Sequence, residues 1–197
     1  MILVPVAIIA VGALTVGMYL FQPWKLFTDT TVNEPSPIAA SAPVEAIASP
    51  TTSPAPSREP SRSAAPSAAS SPAPATKAAK VLTTGKFISH EHGTSGTAKI
   101  ISLADGSRVL RIENLDTSNG PDLKVWLTDA PVIEGPSGWF VFDDGAYVDL
   151  GALKGNKGSQ NYKIPAKANL SKLTSVTIWC DRFSVSFGAA ELQAPSA

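Results

Sequence analysis

The sequence predicts an all-β domain, an antiparallel β-sandwich or barrel-like unit, preceded by a transmembrane helix and a disordered Pro/Ala/Ser-rich linker. Three observations carry that expectation. Apolar residues alternate over short runs in the C-terminal half, the period of a half-buried strand. Turn residues separate those runs at close intervals, and none of them sustains the i, i+3, i+4, i+7 stripe of a helix. The first 21 residues, in contrast, carry no charged side chain. These features divide the chain into an anchor over residues 1–24, a stalk over 25–78 and a folded domain over 79–194, a common size for one domain.

The N-terminal run MILVPVAIIAVGALTVGMYLF is long enough, at about 1.5 Å per residue, to span roughly the 30 Å of a bilayer core. Tyr19, Trp24 and Lys25 stand where interfacial anchors belong. The rival reading is a cleaved signal peptide. The absent basic n-region and the length of the apolar run weigh against it, so the membrane is the expected partner of this helix. Lys25 alone would, by the positive-inside rule, be kept in the cytoplasm. The stretch that follows argues for the other side. From Thr28 to Lys86 there is no aromatic residue, and ten of the 17 prolines fall between Pro35 and Pro74. Such a segment cannot bury enough apolar surface to offset its ordering entropy, and its prolines favour extended geometry. It reads as a tether carrying a domain away from a membrane, with the composition of an extracytoplasmic stalk.

Within the domain, KFISH (86–90), TAKIISL (97–103), RVLRI (108–112), DLKVWL (122–127), SVTIWC (175–180) and FSVSF (183–187) read as strands. Asp105-Gly106 signals a two-residue hairpin turn, which sets Leu103 opposite Arg108, Ile101 opposite Leu110 and Lys99 opposite Ile112. A turn at Asp181-Arg182 sets Cys180 opposite Phe183, Ile178 opposite Val185 and Val176 opposite Phe187, an entirely apolar face. Thr177 with Ser186 and Trp179 with Ser184 then occupy the other face, and Cys180 lies on the core side at a strand end. WFVFDDGAY (139–147) reads as a buried strand packing on both faces, with a pocket lining as the alternative. NLSKL (169–173) has room for one helical turn at most.

The formal net charge is zero, which gives no electrostatic case for nucleic acid. Gly155-Asn156-Lys157-Gly158 matches the GxxG clamp of nucleic-acid modules, but those loops join helices, and turn chemistry accounts for it better. No Ser/His/Asp order, HExxH, phosphate-binding loop or dinucleotide fingerprint is present, so no catalytic constellation is recognisable. What remains is one cysteine and two histidines. Cys180 reads either as a redox thiol or soft metal ligand, or as the small buried hydrophobe that free cysteine often is. A dithiol within the chain is excluded for want of a second cysteine. His90 and His92, at i and i+2 of an extended segment, project to one side and are candidate metal ligands. A stable site needs a third donor such as Glu91, Glu134, Asp143 or Asp144. A cofactor such as haem or a transition metal would join one of these histidines to Cys180.

Four stretches taken together, GKFISHEHGTSGTAKI, DGSRVLRIENLDTSNGPDLKVWL, YVDLGALKGNKGSQNYKIP and SVTIWCDRFSVSFGAAEL, resemble in order and spacing the DM-thirteen domain, also called the electron-transfer DM domain. The resemblance covers about residues 81–192. Bacterial members of that family carry an N-terminal membrane segment, a motif much like FQPWKLFTDTTV here, and a low-complexity stalk. In animal relatives the domain accompanies a DOMON domain in extracellular matrix and cuticle proteins, a context this chain does not contain. The resemblance implies a β-sandwich-like domain outside the cytoplasm, a role in redox or electron transfer, and Cys180 as the family's characteristic cysteine. Two functions from different classes therefore fit. One is a membrane-tethered extracytoplasmic domain acting in redox chemistry through Cys180 or a cofactor beside it, with a redox partner in the envelope. The other is a non-catalytic binding or structural module displayed at the cell envelope. A metal-dependent hydrolase fits poorly, because histidines and carboxylates are too sparse.

Overall fold

The computed structural model describes residues 3–38 and 78–195. The strands are β1 (Thr31–Asn33), β2 (Lys80–Lys86), β3 (Ile88–Ser89), β4 (Ser95–Ser102), β5 (Arg108–Asp116), β6 (Leu123–Thr128), β7 (Tyr147–Ala152), β8 (Lys157–Ile164), β9 (Ser175–Cys180) and β10 (Val185–Glu191). They form two five-stranded sheets, in the orders β1-β8-β5-β4-β2 and β3-β10-β9-β6-β7. Every pairing is antiparallel except β1 with β8, which is parallel. The predicted sandwich-like all-β fold is what forms. NLSKL makes a single turn, with the Lys172 and Leu173 N–H groups both donating to the Asn169 carbonyl.

The core lies between the sheets. Ala98, Ile100, Leu110, Ile112 and Tyr162 from the first sheet meet Val125, Leu127, Val176, Ile178, Cys180 and Phe187 from the second. Alternation puts these residues on one face of each strand. The second sheet is covered on its outer face as well. There Trp126, Ala130, Phe142, Trp179 and Ala189 make a smaller cluster under the loop between β6 and β7. All six residues of β9 are consequently buried. WFVFDDGAY is not a strand before its last residue, Tyr147, which opens β7: residues 139–146 belong to that covering loop, with Phe142 fully buried and Phe140 exposed. Trp139 and Phe142 reach the hydrophobic clusters, as their aromatic character predicts; the loop conformation follows from Asp143, Asp144 and Gly145, which favour turns.

Two expected registers shift, and one expected strand divides. The Asp105-Gly106 hairpin has a three-residue loop, closed by the Leu103 N–H to the Ser107 carbonyl at 2.8 Å, with Gly106 at φ +81°. Ser102 then faces Arg108, Ile100 faces Leu110 and Ala98 faces Ile112, one residue from the expected pairing. Glycine in the left-handed position serves this bulged loop as well as the two-residue turn. In the second hairpin Cys180 faces Val185 instead of Phe183, and a bulge near Phe187 sets Gly188 opposite Ile178 and Ala190 opposite Val176. The turn spans Asp181–Ser184, with Ser184 at φ +49°, because Asp-Arg cannot supply a tight two-residue turn. Thr177 and Ser186 still meet, as a diagonal hydrogen bond of 2.8 Å. KFISH divides at Phe87: β2 ends in the first sheet and β3 begins in the second.

The N-terminal helix α1 (Leu3–Phe21) has 19 residues, about 28 Å at the usual rise. Among the described residues no helix is long and apolar enough to cross a membrane. Gln22, in the left-handed region at φ 43°, ends α1, and a 3-10 turn over Pro23–Phe27 leads into β1. Here the structure departs from the expected stalk over 25–78. Thr31–Asn33 adds a strand to the first sheet beside β8, while β2 occupies the opposite edge of that sheet. The Pro/Ala/Ser/Thr-rich stretch therefore connects two strands of one sheet and does not separate α1 from the domain. The expected disorder of residues 39–77 lies outside the described residues.

Candidate functional site

Cys180 closes β9, between Leu123 on β6 and Val185 on β10. It is wholly buried in the inter-sheet core. Burial pushes the thiol pKa above its ordinary 9.0, and the Asp122 carboxylate adds to that rise. Backbone N–H groups around it, Phe183 and Arg182 first among the site's turn, oppose the rise without reversing it. Arg182, two residues along, acts on the thiol only through its backbone. The resulting group is a protonated thiol shielded from water, and not an exposed nucleophile. It sits one hairpin turn from the surface: the Phe183 N–H donates to the Cys180 carbonyl at 3.2 Å, and the Asp181 N–H to the Asp122 carbonyl at 2.9 Å.

The two histidines part company. His90 is buried, with Nδ1 2.8 Å from Ser186 Oγ and its ring 5.6 Å from that of Phe142. Its Nε2 is enclosed without a hydrogen-bond partner. Burial lowers the His90 pKa, and the nearby Ile133 carbonyl only partly offsets this, so the ring is neutral. His92 turns the other way, onto the Phe187 ring at 3.9 Å and against Glu91 at 2.6 Å. The segment after β3 bends, so the i, i+2 geometry of an extended strand does not apply. Among the described residues no group of three or more His, Cys, Asp or Glu is placed to hold a metal ion. Nor do His90 and Cys180 share a centre. Cys180 belongs to the inner cluster, while His90 packs on Phe142 of the outer one. A haem or metal ligated by both does not fit this arrangement.

The outer cluster is strongly aromatic. Tyr147 stacks on Trp126 at 4.1 Å, Trp126 on Trp179 at 5.1 Å, and Phe142 meets Trp179 edge-on at 6.3 Å. These are diagonal cross-strand neighbours on β7, β6 and β9, and they hold the covering loop to the sheet.

The strongest polar network was not foreseen from sequence. It docks the segment around β1 onto the domain. Asn156, buried, accepts from the Thr30 N–H at 2.7 Å and donates to Asp29 Oδ1 at 2.7 Å and to the Thr117 carbonyl at 2.8 Å. The Glu34 carboxylate accepts from Lys154 Nζ at 2.7 Å and the Asn161 N–H at 2.6 Å. Burial alone would raise its pKa; Lys154, the Asn161 N–H and Arg111 together outweigh that and lower it. The buried Arg111 donates to the Glu34 carbonyl at 2.7 Å. Gly155 and Gly158 make the close approach feasible. A Cβ on Gly155 would lie 2.5 Å from the Thr30 carbonyl oxygen, and one on Gly158 2.2 Å from that of Val32. The GNKG stretch is thus a cradle for another backbone. A cleft of about 220 Å³ remains between Lys25, Thr30, Gly120, Asp122, Lys154 and Asn156, and Cys180 does not line it.

Most of the sandwich that encloses Cys180 is matched by the family model for Electron transfer DM13, over residues 86–192. The chain belongs to the DM13 family. No curated protein and no solved structure matches it. The DM13 match begins at the last residue of β2 and ends one residue past β10, so it takes in the whole second sheet and leaves out β1 and the rest of β2. The segment FQPWKLFTDTTV, which leads into β1, lies outside it.

Proposed function

We propose that this DM13 chain is a membrane-tethered, extracytoplasmic electron-transfer domain in which Cys180 is the redox group. The carrying observation is that the electron-transfer family match takes in the whole second sheet, which holds this thiol, and three strands of the first sheet packed against it. Tethering is supported by the uncharged residues 1–21 and by α1, on which Ile8, Ile9, Val11, Leu14, Val16 and Met18 are all exposed. A helix apolar on all sides needs an apolar surrounding. Within this reading the protein's contribution is protection. A buried, protonated thiol resists disulfide exchange and adventitious oxidation, and reaches an oxidant only when the Asp181–Ser184 turn opens or a partner docks there.

The complete burial of Cys180 also favours a second reading, a binding or structural module in which this residue only packs. One experiment separates them. The full chain in detergent, purified without chelator, is examined for visible absorption, metal content and thiol labelling before and after denaturation, alongside Cys180→Ala. A thiol that is oxidised reversibly in the folded protein, or a chromophore lost in Cys180→Ala, supports electron transfer. A colourless, metal-free protein whose thiol reacts only after unfolding assigns Cys180 to the core and leaves the binding module as the function.

A further inference from the structure

The aromatic side chains of the N-terminal segment are left uncovered by the domain. Tyr19, Phe21 and Trp24 are exposed, and Phe27 is 88 % exposed. Beside them stands Phe183, 50 % exposed at the tip of the β9–β10 turn, its ring stacked on Phe21 at 5.9 Å. Exposed aromatic side chains gathered in one short segment and the turn beside it mark an interaction site. Its position is fixed from several directions. Lys25 Nζ donates to the Pro121 carbonyl at 3.4 Å, and Asn119 Nδ2 donates to the Thr28 carbonyl at 3.2 Å. The Thr30 and Asp29 contacts to Asn156 and the β1–β8 pairing then complete the attachment. The turn at 181–184, the loop 119–122 and the start of β8 all lie at one end of the sandwich, and that end abuts the C-terminus of α1.

We infer that this end of the sandwich rests on the bilayer surface, with Phe183, Trp24 and Phe27 inserted among the lipid headgroups. The inference rests on the proposed anchoring by residues 1–21. Aromatic side chains favour that layer, where rings pack against acyl chains while polar atoms stay hydrated. No spacer intervenes, because the chain from Phe21 to β1 is consumed by the 3-10 turn and by its contacts with the domain. Charge at this end is mixed, with Lys25, Lys124 and Arg182 near Asp122 and Asp181. Insertion of rings, and not attraction to anionic lipid, is therefore the driving contact. Cys180, three residues before Phe183, closes β9 at the same end, so its reaction partner would approach along the membrane surface.

The test uses the full chain in phosphatidylcholine vesicles, with a nitroxide on Phe183→Cys in one sample and on Lys167→Cys in another. Both samples carry Cys180→Ala, so that only the introduced thiol takes the label. Lys167 lies at the far end of the sandwich, where Arg108 donates to the Ala166 carbonyl, on the order of 25–30 Å away along β5. Collision with a water-soluble nickel complex should be several-fold weaker at 183 than at 167, with oxygen collisions stronger, as for a group roughly 5–10 Å into the interface. Arg182→Cys, one residue along the same tip, should give the same pattern and guards against a fault peculiar to Phe183→Cys. If the chain floats with the vesicles but both ends are equally open to nickel, the docking is overturned and the anchor stands. If the chain does not float, the anchor fails and the docking with it.

Discussion

Replacing Asn156 with alanine tests the feature that most changes the picture of this chain, the docking of the N-terminal segment onto the sandwich. The amide makes three hydrogen bonds, two of them to the docked segment: from the Thr30 N–H and to Asp29, and one within the domain to the Thr117 carbonyl. A net hydrogen bond is worth about 1 kcal/mol, and the bond to Asp29, whose carboxylate is largely exposed to solvent, is counted at the same value. Asn156→Ala should therefore destabilise by about 3 kcal/mol, of which about 2 kcal/mol belongs to the segment. For a domain of this size that lowers Tm by roughly 10 °C. Urea unfolding followed by tryptophan fluorescence, on chains beginning at Gln22 and at Ala78, gives the double-mutant cycle. The cost should shrink to about 1 kcal/mol once the segment is removed. An equal cost in both chains would show that Asn156 only stabilises its own loop, and the docked strand would have to be abandoned. Asn156→Asp should be worse than alanine, since a carboxylate oxygen would then face Asp29 and the Thr117 carbonyl.

Three further outcomes follow from the same geometry. Gly155→Ala places a methyl against the Thr30 carbonyl, a backbone atom that cannot turn aside. It should cost about 1–3 kcal/mol in the chain from Gln22, yet be neutral or slightly stabilising in the chain from Ala78, by the same urea assay. His90 is held neutral with a lowered pKa, so the unfolded state takes up protons that the folded state refuses. Stability should fall as pH drops below the unfolded value of 6.5, by at most about 1.4 kcal/mol per unit. The Tm difference between wild type and His90→Gln, measured at roughly pH 7.5 and 5.5, isolates that contribution. Cys180 has the opposite dependence. Its raised pKa leaves stability untouched below the ordinary value of 9.0 and reduces it as pH rises beyond, because only the unfolded thiol ionises. Cys180→Ala should lose this alkaline decline while keeping the one from Tyr162, whose pKa burial also raises; unchanged decline would place Cys180 in contact with solvent.

The sequence by itself determined the architecture and the interior position of Cys180. Period-two alternation in TAKIISL, RVLRI and SVTIWC is a direct imprint of one buried face, and a residue at that period is inside whichever partner strand it meets. Register was harder to read. Asp105-Gly106 is compatible with two loop lengths, and adjacent Ile100 and Ile101 offer an apolar residue to the core in either register. Only the tertiary structure separated His90 from His92 and from Cys180, since a bend after β3 and the two faces of one sheet have no signature at i, i+2 spacing. It alone also revealed the docked strand. Thr31–Asn33 is too short and too polar to announce itself, and the glycines that receive it lie more than a hundred residues away, where on their own they read as a turn. A strand held by another segment's backbone, an asparagine amide and a buried arginine is stabilised by groups distant in sequence, and local pattern carries no trace of them.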